Sequence, residues 1–186
     1  PLIIVPLAVV GATTTYNFLA GYNGLEAGQG IIMLGALALV TYLTGNSWLS
    51  VIALCMIAAL LGFYIFNRKP AKVFPGNVLT YSVGALIAAI AIVGNIEKIA
   101  LFFFIPYIIE TLLKSRGRLK KQSFGKLNED GSLDMPYDKI YGLEHLAIWI
   151  LKKIKPNKKV YENEVTWTIH IFTIIIILIG FFIFLY

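Results

Sequence analysis

Long apolar runs broken by short polar turns dominate this chain. A bilayer core of about 30 Å accommodates about 20 apolar residues as a helix. Pro1 to Leu19, Ser47 to Phe66 and Val165 to Tyr186 reach that length, whereas Ala27 to Thr44 and Val78 to Val93 are Gly-rich and slightly short. Close packing through small residues, or a smaller tilt, suits shorter segments, so both are read as spans. A sixth run, Ile99 to Leu113, carries Pro106 in its middle and Glu110 near its end. Because Pro removes a backbone donor and clashes with the preceding turn, a kink or break is expected there. The opening run is not a secretory signal, since no basic residues precede it and no small-residue cleavage site closes it. The expected fold is an all-α polytopic membrane protein with about six transmembrane helices.

Between the fifth and sixth runs the pattern changes. Residues 114 to 164 are polar, and within them Phe124 to Tyr137 reads as a small hairpin turning at Asp130-Gly131. Ile140, Leu143, Leu146, Ala147, Ile150, Leu151 and Ile154 then recur at helical spacing and end in Lys152, Lys153, Lys155, Lys158 and Lys159. That pattern predicts an interfacial amphipathic helix, its apolar face at the headgroup boundary and its lysines near lipid phosphates. The chain thus divides into a five-span membrane domain (1–113), a polar loop (114–164) and a final helix (165–186).

Composition sharpens this picture. Hydrophobic residues make up 58% of the 186 and charged residues 14%, with a mean hydropathy of +0.77; a soluble domain carries about 25% charged residues. Residues 1 to 66 hold one carboxylate, Glu26, and no Lys or Arg. Six crossings put the connections at 20 to 26, 67 to 77 and 114 to 164 on one side, and that side holds fifteen of the sixteen Lys and Arg. By the positive-inside rule this side faces the cytosol. The net charge of +6 therefore describes loops beside a membrane and not a nucleic-acid surface. A single cysteine, Cys55, excludes an intrachain disulfide and a Cys-based metal site.

Candidate chemistry lies in three polar segments. Asn17-Phe-Leu-Ala-Gly-Tyr-Asn23-Gly-Leu-Glu26 is rich in amides and glycines, which let the backbone come close to a ligand; a Gly-rich turn capping two helices is the plainer explanation. Phe74-Pro-Gly76-Asn77 places an aromatic and a tight turn before a helix N-terminus, a position that favours phosphate. Arg116-Gly117-Arg118 follows a span directly, where arginines either mark the cytosolic side or grip phosphate in a bidentate way. Lys120, Lys121 and Lys126 read as a solvated basic face, and Glu110 with Lys114 as a helix-end ion pair. His145 and His170 have no second His at ligand spacing, and Trp48, Trp149 and Trp167 read as interface anchors.

Asn17-x2-Ala20-Gly21-x-Asn23-Gly24-x-Glu26-Ala27-Gly28 resembles the signature of the polyprenyl-phosphate N-acetylhexosamine-1-phosphate transferases. Phe74-x-Gly76-Asn77 falls where that family has an aromatic-x-Gly-Asp turn, and Leu127-Asn128 with Gly131-Ser-Leu-Asp-Met-Pro-Tyr137 is similar to the hairpin of the dolichyl-phosphate N-acetylglucosaminephosphotransferase branch. The His cluster of the phospho-MurNAc-pentapeptide translocase branch is missing. The resemblance implies transfer of GlcNAc-1-phosphate from UDP-GlcNAc to a polyprenyl (dolichyl-type) phosphate at the cytosolic membrane face, releasing UMP. It implies Mg²⁺, with Mn²⁺ as a substitute, and leaves homodimerisation open.

By position, Asn17 and Asn77 match the family's metal-site residues. Asn23 and Phe74 match those that hold the uracil, with Glu26 and Gly76 in the same nucleotide-binding turns, and Arg116 and Arg118 match the loop that grips diphosphate and sugar. The broken span would border the groove for the lipid chain. Two departures stand out: Asn77 replaces the usual carboxylate, and Gly117 stands where the branch often has His. The family's paired aspartates belong to N-terminal spans that this chain lacks, so its catalytic residues are expected upstream and the fragment alone is not expected to turn over. The rival expectation is a noncatalytic transporter half or inactive homologue that binds a nucleotide-sugar.

Overall fold

The computed structural model describes residues 2–185; Pro1 and Tyr186, the outer ends of the first and last expected spans, lie outside them. Eight helices and one minimal hairpin follow in order: α1 (Ile4–Phe18), α2 (Leu25–Leu43), α3 (Ser47–Asn67), α4 (Gly76–Val93), α5 (Glu97–Phe103), α6 (Ile105–Arg116), β1 (Lys126–Leu127), β2 (Leu133–Asp134), α7 (Leu143–Ile154) and α8 (Glu162–Leu185). Of these, α2, α3, α4 and α8 are long and apolar enough to cross a bilayer. The fold is that of a helical polytopic membrane protein. The expected break falls at Phe104, and Pro106 sits in the first turn of α6, where its missing N–H costs no helical hydrogen bond.

The core is centred on α2, which packs against α3 along its length and also against α4 and α8, while α1 pairs with α4 and α6. Apolar residues surround α2 on nearly every side, as expected of a helix enclosed by others. Its glycines set the spacing: a Cβ on Gly28 would stand 2.5 Å from His170 Nε2. The α1–α4 pair is as close, since a Cβ on Gly84 would meet Thr13 Cα at 2.7 Å. Where two backbones approach like this, small residues supply the association that apolar side chains alone cannot supply in lipid.

One end of the bundle gathers the polar turns. There Asn67 at the end of α3 accepts the Gly24 N–H through Oδ1 at 3.2 Å, Glu162 at the start of α8 accepts the Asn23 N–H at 2.8 Å, and Lys114 near the end of α6 donates to the Phe18 carbonyl. At the other end Asn46 donates to the Gly94 carbonyl at 3.3 Å, joining the two short turns. The turns after α1 and α3 and the ends of α6 and α8 that flank the polar loop thus gather at one end, and the turns after α2 and α4 at the other.

Inside the bundle, Gln29 joins three helices. Its Oε1 accepts hydroxyls from Tyr107 and Thr173, both at 3.1 Å, and its Nε2 lies 3.1 Å from His170 Nδ1. Such a group must be satisfied within the protein because lipid offers no partner.

In the polar loop, β1 and β2 pair antiparallel with Lys126 opposite Asp134 and Leu127 opposite Leu133. Gly131 takes φ +76°, the left-handed geometry that favours glycine. The amphipathic helix forms as α7, but two expectations about it need correction. Its first two turns are docked on protein, with Glu144, His145, Ala147 and Ile148 buried, because a 3.6-residue period suits a protein groove as well as a lipid surface. Three of its trailing lysines are also engaged: Lys152 pairs with Asp134, Lys155 with Glu164 at 2.7 Å, and Lys159 with Asp130 at 2.7 Å. Lys153 lies over the Trp149 ring at 3.9 Å, and Lys121, expected to be solvated, lies over Tyr137 at 4.6 Å. Nearby carboxylates and aromatic faces, distant in sequence, compete with lipid phosphate for these cations.

Candidate functional site

Asn17 lies in the last turn of α1, and Thr80 in the first turns of α4 reaches across to it. The Thr80 hydroxyl donates to Asn17 Oδ1 at 2.7 Å and lies 3.3 Å from the Asn77 carbonyl of its own helix. Asn17 and Asn77 thus share the polar end of the α1–α4 pair, Asn17 half-buried and Asn77 exposed. Gly76 opens α4 with φ +57° and has nothing within 4 Å of where a Cβ would stand, so the face over this turn is free. Lys114, on the Phe18 carbonyl and 3.4 Å from Glu110, brings the end of α6 to the same place. Arg116 and Arg118 follow, both exposed; Arg118 and Leu119 take left-handed backbone conformations that end the helix abruptly.

The other expected residues have different neighbours. Phe74 is 74% exposed on the loop before α4. Asn23 lines a recess formed with α3 and α8. Glu26 is buried, and its Oε1 accepts the Gly21 N–H at 2.8 Å, so the carboxylate closes its own turn. Asn67, which the sequence did not flag, links the two motif turns: besides holding Gly24, its Nδ2 donates to the Val73 carbonyl at 3.0 Å, next to Phe74. Its only signal was an amide at the end of an apolar run.

The hairpin base is fixed to the first motif. Gly125 N–H donates to the Tyr22 hydroxyl at 2.8 Å, and burial pushes that phenol up to about 12. Phe124 covers Gly21, where a Cβ would meet its ring at 2.9 Å.

Beneath the arginine loop sits an acidic pair that the sequence showed only in half. Glu110 forms the expected ion pair with Lys114, yet its Oε2 also accepts the Leu143 N–H at 2.6 Å and so caps α7 from another helix. Glu144 is fully buried, and neither of its oxygens has a partner among the described residues. A Cβ on Gly142 would lie 2.7 Å from Glu144 Oε2 and 3.1 Å from Glu110 Oε1, so the two carboxyls face one point. Burial, and after it the nearby Glu110 charge, hold the Glu144 carboxyl well above its ordinary value of 4.5. A carboxyl raised by folding stabilises the folded state while protonated and loses that contribution as pH climbs through its folded value. Glu144→Gln should therefore raise the thermal midpoint at neutral pH and flatten its decline above pH 4.5; a midpoint lowered equally at acid and neutral pH would contradict this. His145 beside it is held below its usual range, chiefly by burial, and its Nδ1 lies 3.2 Å from the Tyr141 N–H, as suits a neutral ring.

Mg²⁺ takes hard oxygen ligands, keeps several waters, and binds through one or two protein groups plus substrate phosphates. The amide oxygens of Asn17 and Asn77 fit that chemistry: Asn17 Oδ1 accepts a single hydroxyl, and Asn77 stands exposed. Among the described residues, no group of three or more His, Cys, Asp or Glu is placed to hold a metal ion. An apolar groove of about 340 Å³ runs beside this corner, lined by α1 from Ala8 to Thr15, by Ile87 and Ala91 of α4, and by Phe104 and Ile108 at the broken span. It approaches Asn17 within a single turn of α1.

Residues 1–95 match the family model described as glycosyl transferase family 4. A protein of Saccharolobus solfataricus named as a UDP-N-acetylglucosamine--dolichyl-phosphate N-acetylglucosaminephosphotransferase is 43% identical over 149 residues, 79% of this chain and 46% of that one. A Sulfolobus acidocaldarius protein of the same name is 38% identical over 153 residues, 81% of this chain and 46% of that one. The phospho-N-acetylmuramoyl-pentapeptide-transferase of Halalkalibacterium halodurans is 39% identical over 112 residues, covering 60% of this chain and 34% of that one. The chain spans about half the length of the two archaeal relatives.

Proposed function

The chain belongs to glycosyl transferase family 4, and from that membership we propose that it forms part of an enzyme transferring GlcNAc-1-phosphate from UDP-GlcNAc to a polyprenyl phosphate. The observation that carries the proposal is the corner where Asn17 and Asn77 share one end of the α1–α4 pair and Lys114 brings the end of α6 to the Phe18 carbonyl, a turn away from the apolar groove. A polyprenyl chain fits the groove, and its phosphate then stands beside hard oxygen donors and cations. In the reaction a lipid phosphate oxygen attacks the β-phosphorus of UDP-GlcNAc, and the bond from that phosphorus to the bridging oxygen breaks. UMP leaves with the bridging oxygen, and the product is a polyprenyl-diphosphate GlcNAc.

Asn17 and Asn77 would hold Mg²⁺, which when bound neutralises diphosphate charge. Arg116 and Arg118 bind phosphate oxygens bidentately, a geometry a lysine does not offer. Phe74, exposed beside the free face of Gly76, offers a stacking surface for uracil. Asn23 and Glu26 shape the neighbouring turn, Glu26 by holding the Gly21 N–H. The positive loops support an orientation with this end in the cytosol. Supplying the paired aspartates falls to the portion of the relatives that this chain does not cover.

The test is Mg²⁺-dependent UMP release from UDP-GlcNAc with a polyprenyl phosphate, using the protein of the full reading frame. Release only when both substrates are present supports the transferase; its absence with folded protein and several lipid acceptors sinks it. Asn77→Asp restores a full negative charge to the metal site, so the Mg²⁺ concentration for half-maximal activity should fall several-fold. An unchanged metal dependence would take residue 77 out of the metal site.

A further inference from the structure

We propose that the recess between the start of α2, the end of α3 and the start of α8 binds the phosphate of an anionic membrane lipid, apart from the corner of Asn17 and Asn77. The recess encloses about 300 Å³, and beside Asn23 it is lined by Tyr64, Arg68, Lys69, Asn163, Thr166 and Trp167.

Three observations point to an anion. Thr166 is 4% exposed and its hydroxyl has no partner among the described residues, although it lines the recess. A buried hydroxyl left without a partner is costly, and an oxyanion in the recess would accept its hydrogen. Arg68 has no ion-pair partner among the described residues, whereas Lys69 is balanced by Glu162 at 3.3 Å. Glu162 is occupied further by the Asn23 N–H, so Arg68 leaves the recess with an uncompensated positive charge. The residues lining it carry a guanidinium, two amides and two hydroxyls, besides the ammonium held by Glu162, a donor set suited to the oxygens of a phosphate.

The surroundings select a lipid as its source. Just below the recess, α8 presents Ile171 and Ile174 outward and α3 presents Ile65, all exposed on the bundle surface. A headgroup held at Arg68 would lay its chains along that wall, whereas a soluble phosphate gains nothing from it. Trp167, 58% exposed, lies where an indole bridges headgroup and chain regions. The recess borders the nucleotide turn through Asn23 but not the metal corner: Asn17, Thr80 and Asn77 lie on the α1–α4 pair, while the recess lies where α2 meets α3 and α8.

Native mass spectrometry of the full-length protein released from detergent tests this with phosphatidylglycerol, phosphatidylcholine and inorganic phosphate as probes. Phosphatidylglycerol should be retained preferentially, and Arg68→Gln should weaken its retention about tenfold, equivalent to 1.4 kcal/mol. Thr166→Val should weaken it several-fold, while Arg68→Lys and Thr166→Ser retain most of it and guard against a folding defect. Transfer from UDP-GlcNAc should stay in the wild-type range in Arg68→Gln, so the lipid site and the transferase proposal fail separately. Equal lipid retention by Arg68→Gln and wild type would overturn the proposal. Displacement of the lipid by inorganic phosphate would also overturn it, assigning the recess to a soluble anion, as would loss of transfer in Arg68→Gln with lipid still bound.

Discussion

Asn17→Ala is expected to lower UMP release by about a hundredfold or more, the scale of losing one preorganised electrostatic contact at a transferring group. The stability cost should be small. Asn17 is half-buried, and among the described residues its side chain bonds only to Thr80, as acceptor for a hydroxyl that keeps an alternative acceptor at the Asn77 carbonyl 3.3 Å away. Thermal unfolding should therefore change little while turnover collapses, and added Mg²⁺ should recover part of the lost rate. Thr80→Val is the companion variant, because it releases Asn17 without removing its oxygen and should cost much less activity. Wild-type turnover in Asn17→Ala would take the residue out of the metal site, and a matching loss of stability and activity would reduce it to a helix cap.

The other large effect is expected at a residue with no chemistry of its own. Gly84→Val places a branched side chain where even a Cβ comes within 2.7 Å of Thr13 Cα and 3.0 Å of the Ala12 carbonyl. Backbone cannot rotate away as a side-chain tip can, so α1 and α4 must separate. Overpacking of this kind costs about 1–3 kcal/mol or more. One turn before Gly84 lies Thr80, so the same separation pulls Thr80 from Asn17 and opens the corner where the asparagines meet. Both the thermal midpoint and UMP release should fall. Gly62→Val, on a face of α3 with nothing within 4 Å, is the control and should be near neutral. If the two variants behaved alike, helix approach at Gly84 would not be what shapes the site.

What the sequence revealed, and what it hid, follows from the range of each interaction. Hydropathy is a local property, so the apolar runs and the break near Pro106 could be read directly, and the one-sided distribution of Lys and Arg set their alternation. The hairpin turn was legible because Asp130-Gly131 carries its own geometry. Asn67 and Glu144 were not legible, since an amide or carboxylate at a helix end looks the same whether it meets water or a buried N–H. The same limit applies to the trailing lysines of α7, whose partners Asp130, Asp134 and Glu164 come from other elements. Within the site, Asn17 and Asn77 could be named from a motif, but only packing of α1 on α4 revealed Thr80 between them. Gln29 was equally illegible: its partners Tyr107, Thr173 and His170 come from α6 and α8, far along the chain.

The break at Phe104 makes α6 a lever. Its twelve residues form an arm about 18 Å long at 1.5 Å per residue. The pivot end, Phe104 and Ile108, forms part of the groove wall, and the free end carries Arg116. A tilt of about 10° at the pivot would displace the far end by about 3 Å, comparable to a hydrogen-bond length. Two tethers near that far end resist the swing, Lys114 to the Phe18 carbonyl and Glu110 to the Leu143 N–H. The arginines are thus held in place by contacts made a turn or two before them, and cutting either tether loosens their aim without touching a phosphate ligand.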